Sequence, residues 1–91
     1  MKEAPEFLDG AQVIFWAWSD PPFFVMSSAD GMTGVAIHGL AICRYDKGPI
    51  YRFSCNAEWN VENDSDFDTA EAAMSGLSGQ YDVHKVKWQK R

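Results

Sequence analysis

Cysteine is scarce in this chain: two in 91 residues, Cys43 and Cys55. Two are too few for a disulfide-stapled scaffold. They fall on the two arms of a stretch that reads as a hairpin, and a turn centred on Lys47–Gly48 would not set them opposite each other, so we expect buried, reduced thiols. Basic residues are also few. Eight Lys and Arg stand against thirteen acids, for a net charge of −5. Residues 1–82 hold all thirteen acids with four bases, a balance of −9, while residues 83–91 hold Lys85, Lys87, Lys90 and Arg91 with no acid. Most of the molecule therefore repels nucleic acid and anionic lipid, and only the C-terminus could attract them, so neither is expected as a partner. No apolar run approaches the roughly 18 residues needed to cross a bilayer. The run Ala11–Trp18 follows Glu3, Glu6 and Asp9, the reverse of the positive start of an export signal, so we expect a cytoplasmic protein without a membrane partner. Histidine is limited to His38 and His84. A catalytic thiol–imidazole pair or a zinc site would need these to converge with Cys43 and Cys55. No glycine-rich nucleophile loop or adjacent orienting acid accompanies either His, so no catalytic residue, cofactor or metal is expected.

Aromatic residues are abundant: six Phe, four Trp and three Tyr. They supply large apolar area to a chain short enough to form one domain, 1–91, with little stability to spare. The organising stretch is Gly34–Trp59. Two apolar runs, 34–45 and 50–59, flank Asp46-Lys47-Gly48-Pro49, a hairpin signature. In the second run Tyr51, Phe53, Cys55, Ala57 and Trp59 alternate with Arg52, Ser54, Asn56 and Glu58, which predicts one dry and one wet face. The first run is apolar at both parities, as in a central strand. Gly39 within it marks a bulge or the close approach of another group.

The remaining elements follow in chain order. Residues 1–10 read as a lead-in, with a helical turn opened by Pro5 and stopped by Gly10. Residues 12–18 are β-branched and aromatic, which predicts a strand with both faces apolar. Pro21-Pro22 forbids a central strand, and Phe23–Met26 then forms an edge strand near 23–27, a lid, or an exposed patch. Residues 60–68 are acidic and read as a solvated link. Asp64, Ser65, Asp66 and Asp68 have the alternation of a calcium loop, but Thr69 and Ser75 stand where such a loop needs Gly and Glu. Asp68 and Glu71 have capping-box spacing for a helix near 68–79, with Ala70, Ala73, Met74 and Leu77 as a narrow stripe and Gly79 as its stop. Residues 82–89 alternate His84, Val86 and Trp88 with Val83, Lys85 and Lys87, as a lysine-bearing edge strand does. The whole predicts an α+β domain: a mostly antiparallel sheet of four or five strands (12–18, 34–45, 50–59, 82–89 and 23–27) with one helix on one face.

The run Tyr51-Arg52-Phe53-Ser54-Cys55-Asn56 with Glu58-Trp59, followed by the Asp-rich link, Phe67-Asp68-Thr69-Ala70-Glu71-Ala72-Ala73 and Tyr81, resembles small bacterial proteins carried on mobile gene cassettes of the integron type. The resemblance implies a bacterial accessory protein and brings no catalytic residues with it. The aromatic content exceeds what a small core needs, which points to a non-catalytic protein that self-associates, as a dimer, or binds another protein. Trp16, Trp18, Phe23, Phe24, Met26 and Trp88 are the candidate interaction surface. Two alternatives remain: a module binding a small apolar or cationic ligand, and an immunity- or antitoxin-like protein whose acidic 58–71 region meets a basic partner.

Overall fold

The computed structural model describes residues 2–27, 31, 34–75 and 86–91. Among these residues the fold is α+β, mostly antiparallel sheet with one short helix against it. The chain opens with a hairpin of Phe7–Leu8 (β1) and Ala11–Trp18 (β2). Asp9 and Gly10 join them, both at positive φ (48° and 82°), the conformation of a two-residue turn that favours Asp-Gly. This replaces the helical turn expected there, and the Asp-Gly pair was its signal. Phe24–Ser27 (β3) pairs antiparallel with Gly34–Ile37 (β4) as a separate two-stranded ribbon. Gly39–Arg44 (β5), Ile50–Cys55 (β6) and Val61–Phe67 (β7) complete the main sheet, in the order β1-β2-β5-β6-β7. Gln89–Lys90 (β8) joins β2 at Phe15 and Trp16, on the edge that β1 also uses.

The expected 34–45 strand is two strands broken at His38. Its first half serves the ribbon and its second half the main sheet. The β5–β6 hairpin pairs Arg44 with Ile50 and Cys43 with Tyr51, and Cys55 lies opposite Gly39. The two cysteines are free and buried. The 50–59 strand ends at Cys55, and a turn built on Asn56 follows. The Asn56 Oδ1 accepts from the Glu58 and Asn60 amides at 2.9 and 3.0 Å, an Asx arrangement. Trp59 in this turn has φ of 63°, and the strained bend returns its ring to the sheet.

Sheet register explains why β2 is apolar on both sides. A bulge between Val13 and Phe15 shifts the pairing, so Val13, Trp16 and Trp18 join one apolar cluster while Ile14 and Phe15 join the other. The first cluster contains Trp16, Phe53, Trp59, Cys43 and Cys55, closed by Ala4 and Leu8. The second contains Ile42, Ile50 and Ala73, with Phe67, Met74 and Trp88 packed around it.

The wet face expected for β6 is not wet. Arg52 is 9% exposed and Ser54 is also buried, because the helix Ala70–Ser75 (α1) lies across β5, β6 and β7. The Arg52 guanidinium donates to the Ala73 carbonyl at 2.7 Å and stands over the Phe67 ring at 4.8 Å. Ala73 is fully buried, so small residues do bring the helix close, as expected. Its cap differs from the one expected. The Ala72 amide donates to the Thr69 Oγ1 at 3.1 Å, which makes Thr69 the cap and Asp68 its predecessor. The proposed continuation to Gly79 lies outside the described residues.

The acidic link is the largest departure. Residues 61–67 form an edge strand in register with β6, pairing Arg52 with Ser65 and Phe53 with Asp64. Pairing is a backbone property, and an edge strand tolerates charge on its side chains. The last strand is shorter than 82–89. Val86–Trp88 is not in a ladder, β8 is Gln89–Lys90, and residues 82–85 lie outside the described residues.

Two stability outcomes follow. A Cβ on Gly39 would stand 2.6 Å from the Trp59 ring, so Gly39→Ala should cost about 1–3 kcal/mol in a denaturant titration, the usual range for overpacking. Arg52→Ala should cost about 2 kcal/mol, since it removes a buried charge-assisted hydrogen bond and the stem beneath α1. A loss under 0.5 kcal/mol in that titration would mean the helix does not depend on Arg52.

Candidate functional site

The six aromatic and apolar residues singled out in the sequence do not form one surface. They divide among three places. Trp16 is 6% exposed and belongs to the core between the sheet and the N-terminal segment. Trp18 is half-buried on the same face. It stacks on His38 at 5.4 Å and 24°, and meets Trp59 at 5.7 Å. Trp88 is half-buried on the opposite face, beside the helix cluster. Phe23, Phe24 and Met26 are half-buried on or beside the ribbon, where Val25 is 63% exposed.

The ribbon is the part of this set with surface to offer. Among the described residues β3 belongs to a sheet of two strands, paired with β4 through Phe24↔Ile37, Val25↔Ala36 and Met26↔Val35. From Phe23 to Ser27 it carries no charge. Of the residues in these pairs only Ile37 is buried. The ribbon is tied to the body at its base, where the Phe23 amide donates to the Ile37 carbonyl and the Ser19 amide to the His38 carbonyl, both at 2.8 Å.

The other long edge of the fold has the opposite character. Glu62, Asp64 and Asp66 are exposed along β7, a row that resists pairing with another copy of itself. Asp64 and Asp66 stand on an extended strand, where alternate residues lie about 6.7 Å apart along the chain. They do not wrap an ion as the residues of a calcium loop do.

Among the described residues no thiol–imidazole pair is assembled. The His38 Nδ1 lies 2.8 Å from the Ser19 carbonyl oxygen, so it carries the proton and donates there, and its ring lies on Trp18. The His38 backbone amide donates to the Cys55 carbonyl at 3.0 Å, a ladder contact that does not involve the thiol. Burial pushes both thiols from 9.0 up to about 12, opposite to the shift a nucleophile needs. His84 lies outside the described residues. Among the described residues no helix is long and apolar enough to cross a membrane.

The asparagine-centred turn escaped the sequence reading. Asn56 followed by Glu58-Trp59-Asn60 was legible as an Asx turn, but the clean alternation of the preceding strand hid it. It sets the Ala57 carbonyl and the Glu58 carboxylate at the rim of the tryptophan cluster, where both meet Lys2.

The raised thiol values carry a sign. The folded chain keeps both thiols protonated where the unfolded chain ionises them. Their stabilising effect is therefore complete below pH 9 and is lost as pH rises from 9 toward 12, by about 1.4 kcal/mol per pH unit for each thiol. Denaturant midpoints measured between pH 8 and 10.5 should fall, and Cys43→Ala with Cys55→Ala should remove that part of the slope. Ellman's reagent should leave the native chain unmodified at pH 8 and label two thiols after unfolding. Comparison of the chain with family models, with curated proteins and with solved structures finds no match.

Proposed function

We propose that this chain is a non-catalytic binding protein that self-associates through the β3–β4 ribbon, in an accessory role of the kind its resemblance to cassette proteins implies. The observation that carries the reading is the contrast between edges. Among the described residues, β7 bears Glu62, Asp64 and Asp66, β1 and β8 are two residues each, and β3 is an uncharged edge whose Val25 is 63% exposed. Natural sheets blunt their free edges with charge or brevity, and an uncharged apolar edge is where another strand adds. A two-stranded ribbon alone is marginal in water. Two copies joined antiparallel at β3 make a four-stranded sheet, β4-β3-β3-β4, and a two-fold axis satisfies both copies with one patch.

Sedimentation of the purified chain should show a species of twice the chain mass at tens of micromolar. Val25→Lys, at an exposed site, should weaken association at least tenfold and leave the far-ultraviolet circular dichroism unchanged. A wild-type chain that stays monomeric at several hundred micromolar would remove the proposal.

A further inference from the structure

The rim of the tryptophan cluster holds an ammonium group, and the chain itself supplies it. The Lys2 Nζ donates to the Ala57 carbonyl at 2.8 Å, stands 3.9 Å from the Glu58 Oε2, and lies 5.8 Å from the centre of the Trp18 ring. A π face, a carbonyl and a carboxylate thus converge on one cation. This is the chemistry by which proteins recognise organic ammonium ligands.

Trp18 and the turn carrying Ala57 and Glu58 are braced by packing and hydrogen bonds, whereas the Lys2 occupant is loosely held. Trp18 is on β2, with His38 stacked against it and Trp59 beside it. Ala57 and Glu58 are in the turn that Asn56 closes with two hydrogen bonds. Lys2, by contrast, is half-exposed at its side chain, and Glu58 is more exposed still. An ion pair at 3.9 Å in that setting is weak, and 5.8 Å is the outer end of the cation–π range. The Lys2 carbonyl accepts from the Trp59 Nε1 at 3.3 Å, a long bond. A preformed receptor with a weakly bound internal occupant favours exchange with an external one.

We propose that Trp18, the Ala57 carbonyl and Glu58 form a binding site for an alkylammonium ligand, which Lys2 fills in the free protein. The 2.8 Å contact requires an N–H donor, so the ligand is a protonated amine and not a quaternary one. A free amine and the lysine side chain of a peptide share this chemistry. The inference is independent of the ribbon: amine binding and dimer formation succeed or fail separately.

The test is a titration of the ¹⁵N-labelled full chain, at constant ionic strength, with Nα-acetyl-lysine methylamide. Lys2→Ala should show saturable shifts at the Trp18 indole and at the Ala57 and Glu58 amides, with affinity at least tenfold above wild type. Lys2→Met, which keeps an apolar stem, should behave alike. Adding Glu58→Gln to Lys2→Ala should weaken binding at least threefold. An n-butylammonium arm separates the sources: equal affinity assigns a free amine, and tighter binding of the lysine derivative assigns a peptide. Shifts that stay linear and equal in wild type and both Lys2 variants would overturn the proposal, as would equal shifts from tetramethylammonium.

Discussion

The ring of Trp59 lies directly on Gly39, so close that even a methyl group would displace it. One face of the main sheet is built on that contact. Gly39 stands where the chain leaves the ribbon and enters β5, paired with Trp18 on one side and Cys55 on the other. The indole fills the space over this junction, meeting Trp16 edge-on at 6.3 Å and Trp18 at 5.7 Å. Its Nε1 makes a long 3.3 Å bond to the carbonyl of Lys2, and Ala4 is buried against the same cluster. A glycine with no side chain and a tryptophan in a left-handed bend are thus two halves of one fitting. Each would be a defect without the other.

The opposite face solves a different problem. A sheet needs cover on both sides when its central strands are apolar at both parities, and here the helix Ala70–Ser75 provides it. That helix is held by the buried Ala73, by Thr69 at its start, and by Arg52 reaching from β6 to the Ala73 carbonyl. Arg52 suits this place because its stem packs while its guanidinium satisfies a helix carbonyl and lies on Phe67. Trp88 and Met74 close the remaining sides.

The covered faces leave function to the edges and the rim. Among the described residues the acidic edge is guarded against self-pairing, the ribbon edge carries no charge, and the tryptophan rim holds Lys2 loosely. Exposed apolar area in the described chain is concentrated at Val25, Phe7 and Tyr45 and not spread over the aromatic set. Of the rings that looked surplus, Trp16 is in the core, Trp18 and Trp88 pack half-buried against it, and Phe23 and Phe24 are half-buried at the ribbon. The interaction proposal therefore rests on a narrow strip of backbone and a few side chains, not on a broad aromatic surface.

While the segment after the prolines stayed open between an edge strand, a lid and an exposed patch, periodicity and composition were enough for the class of the fold, the β5–β6 hairpin, the start of the helix, and the separation of the cysteines. Each of these depends on neighbours in the chain or on turn chemistry. Gly39 was also legible as a place of close approach, although its partner was not. What folding alone decided involves residues distant along the chain. Residues 61–67 are a strand because β6 offers them a ladder, and nothing in their side chains says so. Arg52 and Ser54 are buried because a helix some twenty residues later lies over them, whereas alternation reports only that two faces differ. Lys2 meets Trp18 and Glu58 because a turn fifty-odd residues away returns to the N-terminus. Local pattern encodes which face a side chain takes; what then covers that face is set by the packing of the whole chain.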